Sequence, residues 1–453
     1  MKKILHLVCT ILLFGNNIIF PQMENLESKI DSYLQPYVET GDFSGSILIS
    51  KSDDILFSKG YGFADISHNI ANTPQTKFKL ASVSKQFTAA AILILEQDEL
   101  LKVDNTIDKF ISDYPQGEKI TLHHLLTHTS GIPDIFSLPN YYKKKNLSVT
   151  LEDVVNWIKE QPLEFQPGER YSYSNSGYNL LAYLIEKVSG LSYVEFLSKH
   201  IFALLEMKNS GEYQYKKIIR NLATGYDPSG FTGLVHAPHS NDVIHRGSGS
   251  LYSTVEDLHK WLKVGLQTNK VLNASSRKKM LANQRNAYGY GISVYKVFGM
   301  RVYGHDGRMP GYIADVMHYI ENDISIIFLG NIQTGVGDFL RRDLAAIVFD
   351  KDYEVRAKTG LAVADFKLED VKDLLGVYQF APTFKVSVRL NHGKILARAN
   401  QGESAEMILL SDGSYMCRVL YAYISFEKNE HGKINKITWV NNDGNSFTGS
   451  KVR

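Results

Sequence analysis

Hydrophobic period changes twice along the chain, from strand-like to helical and back again. Residues 46–50 and 55–62 read as two short strands joined by the polar turn Lys51-Ser52-Asp53-Asp54. A mainly helical stretch then runs from about 80 to about 285. Its clearest pieces are 84–96, 151–160 behind Thr150, 177–188, 193–202 and 254–264. The last is opened by an expected capping box, Ser253-Thr254-Val255-Glu256. From Tyr288 the strand pattern returns: 291–297, 301–304, 312–319 and 324–330 form a meander, which a helix over 338–348 closes. Ahead of the first strand, Leu26, Ile30, Tyr33, Leu34, Tyr37 and Val38 recur at helical spacing. Strands shared between the two ends of one segment imply an α+β domain over 23–350. Its antiparallel sheet is flanked by terminal helices and interrupted by a large helical insert.

Residues 351–365 are charged and poor in large apolar side chains, as suits a linker. Beyond them, 384–390, 394–399, 407–410, 415–420, 422–426 and 433–440 alternate as short strands between Asn-His-Gly, Asp-Gly and His-Gly turns. This pattern predicts a small all-β, barrel-like unit over 366–453.

With 453 residues, 44% of them hydrophobic and 22% charged, the chain can bury its cores without metals or disulfides. A net charge of +2 supplies no phosphate-tracking field, so nucleic acid is not an expected partner. The run Lys143-Lys144-Lys145 is expected to be a solvated loop. Lys2 and Lys3 precede an apolar stretch over 4–20 that His6 and Asn16-Asn17 interrupt, which suits an export signal over 1–22. The expectation is an exported protein, periplasmic or extracellular, with no integral membrane span in its mature chain; an uncleaved anchor is the alternative. Cys9 and Cys417 are the only cysteines, so no internal disulfide is expected, and Cys417 falls on a strand.

Three short motifs carry chemistry. Ser82-Val83-Ser84-Lys85 opens the helix over 84–96. A serine there can be a simple N-cap. The lysine at i+3, however, shares its helical face and lies within side-chain reach. A hydroxyl needs a neighbouring base to become a nucleophile, and a desolvated lysine can serve. Helix N-terminal N–H groups also suit a developing oxyanion. Tyr173-Ser174-Asn175 precedes another helix. Its tyrosine can relay a proton and its asparagine amide can hold the lysine and bind a carbonyl, or the pair is a packed ring and an N-cap. His305-Asp306-Gly307 is expected just past the strand over 301–304, ahead of Met309-Pro310-Gly311-Tyr312, where a strand edge offers main-chain groups to an extended substrate.

In this order, these residues resemble the serine β-lactamase and penicillin-binding-protein superfamily. The closer likeness is to class C β-lactamases, the D-alanyl-D-alanine carboxypeptidases similar to them, and related esterases and D-amino-acid peptidases. That branch carries Tyr-x-Asn and commonly His-x-Gly. The stretches Phe78-Lys79-Leu80-Ala81, Leu125-Leu126-Thr127-His128-Thr129-Ser130-Gly131-Ile132-Pro133 and Leu251-Tyr252-Ser253-Thr254 look like the branch too.

The resemblance implies that Ser82 attacks a carbonyl and forms an acyl-enzyme, which water hydrolyses. Lys85 and Tyr173 would share the proton traffic, and Asn175 would position Lys85 and the substrate amide. Backbone N–H groups of Ser82 and Arg308 would form the oxyanion hole, with His305 and Gly307 on the substrate-binding strand. Arg308 departs from the small residue usual there, and its side chain would narrow the site or bind an acidic group. Histidine, with an unperturbed pKa of ~6.5, suits a substrate carboxylate less well than lysine does. The expected activity is a serine hydrolase on amide or ester bonds of a small molecule or peptide, foremost a D-amino-acid peptidase or carboxypeptidase. A carboxylesterase or weak β-lactamase comes second, and an idle binder of cell-wall fragments is the reading from another class. No cofactor and no metal are implied.

Two distractions are set aside. Lys358-Thr359-Gly360 copies the K-T-G triplet of other superfamily members but falls in the expected linker, after the meander. His124 and His128 stand at i, i+4 without an HExxH or cysteine partner, so structural roles are expected.

Overall fold

The structure, a computed structural model, describes residues 20–452 apart from 140, 240, 401, 403 and 443. The leader expected over 1–22 lies, through residue 19, outside the described residues. Helix α1 (Phe20–Glu39) leads into β1 (Gly45–Lys51) and β2 (Asp54–Tyr61). The other four strands of the sheet are β3 (Ser293–Val297), β4 (Met300–Met309), β5 (Tyr312–Tyr319) and β6 (Ile324–Gly330). The spatial order is β3-β4-β5-β6-β1-β2, antiparallel throughout. The first strand thus pairs with the last, and the helical insert between β2 and β3 need not interrupt the sheet.

Alternation decides which residue meets which layer. Ile47 and Ile49 of β1 pack with Ile30, Leu34 and Tyr37 of α1 and with Leu340 and Leu344 of α4 (Val336–Val348). Leu48, between them, faces the helical body with Val316 and Leu329. Because both faces are covered, every residue of β5 and β6 is buried, so these strands read as apolar runs. On the helical side, α2 (Ser84–Gln97) is buried from Ser84 to Leu95, and α3 (Asn175–Ser189) packs across it.

Two local expectations are corrected. β4 continues to Met309, so His305-Asp306-Gly307 lies inside the strand rather than after it. Its ladder with β5 persists to Met309↔Tyr312, where Pro310 and Gly311 (φ +78°) make the turn. The cap of the helix near 255 is Thr254, accepting from the Asp257 N–H, rather than Ser253.

The C-terminal strands close into an eight-stranded antiparallel barrel: β7 (Gly376–Ala381), β8 (Phe384–Asn391), β9 (Lys394–Ala399), β10 (Ser404–Leu409), β11 (Tyr415–Cys417), β12 (Ala422–Lys428), β13 (Ile434–Val440) and β14 (Ser446–Lys451). The sequence pattern did not mark β7 or β14. They pair with each other at Tyr378↔Lys451 and Gln379↔Ser450, which closes the barrel.

Residues 351–365 carry no helix, but they are not a free spacer. Lys358 is buried and its Nζ donates to Asp42 Oδ1 (2.7 Å) and Oδ2 (2.8 Å). Arg418 of the barrel donates its Nε to the same Asp42 Oδ1 (2.9 Å) and further N–H groups to the carbonyls of Gly230, Gly233 and Gly41. Lys358-Thr359-Gly360 therefore serves the junction between the α+β body and the barrel. Among the described residues no helix is long and apolar enough to cross a membrane.

Candidate active site

Ser82 sits in the 3-10 turn Ala81–Val83 that enters α2. Ala81 is held at φ +45°, a left-handed conformation that costs an L-residue roughly 1–2 kcal/mol. The turn leaves Ser82 half-buried at the floor of a cleft while Lys85, on the first turn of α2, is wholly buried.

Lys85 Nζ donates to Ser82 Oγ (3.0 Å), Asn175 Oδ1 (2.8 Å) and the Ser248 carbonyl (2.8 Å), which uses all three ammonium protons. Burial lowers its pKa to about 7, against the opposing pull of Asp134 and Asp306. Near neutral pH, the amine beside Ser82 is thus poised between its acid and base forms.

Tyr173 stacks on His128 with ring centroids 4.1 Å apart, and its hydroxyl is within hydrogen-bonding reach of Ser82. Burial raises its pKa well above 10, so it stays a phenol. His128 is buried too, accepts from the Ser174 N–H at Nδ1 (3.1 Å), and has its pKa pushed well below 6.5 by burial. His124 instead accepts from the Thr121 N–H. The two histidines therefore serve separate backbone contacts.

Asn175 is the first residue of α3. Its amide orientation is set by Asp134, which receives the Asn175 backbone N–H (3.0 Å) and Nδ2 (3.1 Å). A carboxylate only accepts, so Nδ2 must face it and Oδ1 is left for Lys85. Asn175 also lines the cleft, so its amide lies between Lys85, Asp134 and the space above Ser82.

From β4, His305 is buried beside Asp306. Its Nδ1 lies 2.6 Å from the Asp306 carbonyl and must carry a proton, so Nε2 accepts from the Tyr288 hydroxyl (2.9 Å). Burial lowers its pKa to about 4, which keeps the ring neutral. Gly307 lies against the turn Ala81–Val83. A Cβ there would stand 2.3 Å from the Leu80 carbonyl oxygen and 3.0 Å from Ser82 N, so only glycine lets the strand come this close.

A serine on a helix turn, a desolvated lysine in its reach and a strand edge beside it can support acyl transfer. The family model described as Beta-lactamase matches residues 30–349 of the chain. The chain belongs to the beta-lactamase family. It is a serine hydrolase of that family, related to penicillin-binding proteins. Penicillin-binding protein 4* of Bacillus subtilis (strain 168) is 29% identical over 356 residues, covering 73% of this chain and 78% of its own. The octameric penicillin-binding protein homologue from Pyrococcus abyssi is 25% identical with a TM-score of 0.62, over 94% of this chain and 99% of that one. D-amino acid amidase from Ochrobactrum anthropi SV3 shares the fold at 22% identity and a TM-score of 0.65, over 72% of this chain and 99% of its own.

In this beta-lactamase-family chain the Arg308 side chain is turned to Asp338 on the first turn of α4. Of the two expectations for this side chain, narrowing the site or binding an acidic group, the structure shows an internal acid beside it. Arg308 still lines the cleft above Ser82, about 230 Å³, together with Phe136, Tyr141, Lys145, His245 and Met309. Lys145 thus faces the cleft, not a solvated loop as expected for the basic run. Asp134 and Ser248 are the functional neighbours missed in the sequence. Asp134 directly follows Gly131-Ile132-Pro133 of a stretch already singled out, whereas Ser248 contributes a carbonyl that every residue type possesses.

Proposed function

We propose that Ser82 is the nucleophile and Lys85 the base of a hydrolase that cleaves amide bonds in small peptides containing D-amino acids. The observation that carries this reading is the buried Lys85 ammonium, 3.0 Å from Ser82 Oγ and lowered to about 7. As Ser82 Oγ bonds to the carbonyl carbon, its proton passes to neutral Lys85 Nζ. Charge gathers on the carbonyl oxygen near the Ser82 N–H. Collapse breaks the C–N bond, and the leaving amine takes the proton back from Lys85, directly or through the Tyr173 hydroxyl. Water then enters by the same route in reverse and frees Ser82. Tyr173, kept protonated by burial, relays rather than abstracts.

The choice of amide substrates is supported by the resemblance of Tyr173-Ser174-Asn175 and His305-Asp306-Gly307 to the peptidase branch. A relative named for binding penicillin, whose reactive group is a cyclic amide, points the same way. The second reading, a carboxylesterase, is favoured by His305, which is neutral and offers no cation to a substrate carboxylate. We place the activity outside the cytoplasm on the strength of the lysine-led apolar stretch over 1–22.

The test is labelling by a fluorophosphonate probe and by a fluorescent penicillin, with turnover of a D-Ala-D-Ala peptide, a D-amino acid amide and a short-chain ester. Wild type should label and turn over, and Ser82→Ala should do neither. Unchanged labelling of Ser82→Ala would remove the nucleophile assignment. Turnover of the ester alone would replace peptidase with esterase.

A further inference from the structure

The eight-stranded barrel is filled at one end and hollow at the other. A barrel of this size is wide enough to be plugged by its own side chains or to hold one small ligand. In its filled half the inward positions carry Tyr378, Val388, Ile395, Met407 and Ile437, all buried. Beyond them, β9 turns Ala397 and Ala399 inward, β10 turns Ala405, and β14 turns Gly449, as the register Val388↔Ala397↔Ala405 and Ile437↔Gly449 requires. Ala397, Ala399 and Ala405, in place of branched or aromatic residues, line a cavity of about 480 Å³, while the Phe380 ring occupies the space beside Gly449.

Phe380, Phe384, Trp439 and Phe447 surround this cavity, and Asn441 is the polar residue among those lining it. No charged side chain lines it among the described residues. Phe384 and Phe447 are 42% and 50% exposed, which leaves an apolar rim open to water. A cup so lined gives water too few partners to be held well. The cavity lies inside a closed barrel, which disfavours a flat protein face and selects a slim occupant. The single amide of Asn441 suits the polar end of a molecule whose remainder is hydrocarbon.

We propose that the barrel binds the hydrocarbon chain of a long-chain acyl compound, chain inward and polar end beside Asn441. This site shares no lining residue with the Ser82 cleft.

The test is titration of the full-length protein with cis-parinaric acid, a fluorescent fatty acid, followed by displacement with dodecanoate and with dodecan-1-ol. Saturable binding with one site per chain, displaced by either compound, is expected; displacement by both assigns recognition to the chain, and by dodecanoate alone to chain and carboxylate together. Ala405→Phe, which fills the cup, should weaken binding by at least about tenfold while keeping a cooperative melt and fluorophosphonate labelling. A doxyl-labelled fatty acid should quench Trp439 in the wild type, and this part of the quench should vanish in Trp439→Phe, a readout that does not depend on the filled variant folding. The proposal is overturned if no saturable binding is seen, if Ala405→Phe binds as tightly as wild type, or if the quench is unchanged in Trp439→Phe. Self-association that Ala405→Phe abolishes, without probe binding, would equally overturn it by making the occupant a second copy.

Discussion

Lys85→Met should abolish turnover and, independently, change how stability depends on pH. The folded protein lowers the Lys85 pKa from 10.5 to about 7 because the ammonium is fully desolvated. Between these values the unfolded chain binds a proton that the folded chain does not, so stability must rise with pH across that window. At about 1.4 kcal/mol per pKa unit, the handicap on the folded state is about 4 kcal/mol at pH 7 and about 1 kcal/mol at pH 9.5. The wild type should therefore gain about 3 kcal/mol over that interval relative to the variant, which has no proton to lose there. Absolute stabilities are a poorer guide, because the variant leaves Asn175 Oδ1 and the Ser248 carbonyl without the donor they had. Lys79 and Lys358, both lowered to about 8 by burial, titrate in the same window but are common to both proteins and cancel in the difference. The assay is urea unfolding at the two pH values, followed by tryptophan fluorescence. Parallel pH dependence in the two proteins would refute a desolvated Lys85. In the wild type, kcat/KM for an activated ester should rise with pH through about 7 for the same reason.

Other substitutions probe the frame around Ser82 and the junction with the barrel. Asp134→Asn frees the Asn175 amide to turn and removes an anion that raises Lys85. Activity should fall on the order of 10²-fold, and the ascending limb of the pH–rate profile should move to lower pH. Gly307→Ala drives a methyl group into the Leu80 carbonyl, so fluorophosphonate labelling should be lost and the protein destabilised by about 1–3 kcal/mol in urea. Asp42→Ala strands the buried charges of Lys358 and Arg418, and a loss of about 3–5 kcal/mol is expected by the same assay. Cys417, buried and with its thiol raised to about 11, should resist iodoacetamide at pH 8 until the chain is unfolded.

The sheet and its flanking helices were legible because period is a local property. The apolar runs Ile47-Leu48-Ile49 of β1 and those of β5 and β6 suit strands covered on both sides. The barrel was legible in six strands but not in β7 and β14, where Gly376, Gln379 and Gly449 weaken the alternation. Those two strands are fixed by their pairing with each other and with β8 and β13, the first across more than seventy residues of chain. The triplet at 305–307 was misplaced by a few residues for a similar reason. Gly304 and Gly307 look like strand-ending residues, yet the ladder with β5 carries the strand through them.

By itself, the sequence determined the order of layers, the family likeness and the proximity of Ser82 to Lys85, because three residues on a helix turn fix that distance whatever surrounds them. Only the tertiary structure decided the state of these groups. Lys85 is near-neutral because the body closes over it, and Asn175 presents its oxygen because Asp134, forty-one residues earlier, takes its nitrogen. His305 is uncharged because burial penalises the imidazolium form. Arg308, at the cleft, is paired with an acid on α4. Desolvation and hydrogen-bond partnership are set by groups distant in sequence, so no local pattern encodes them.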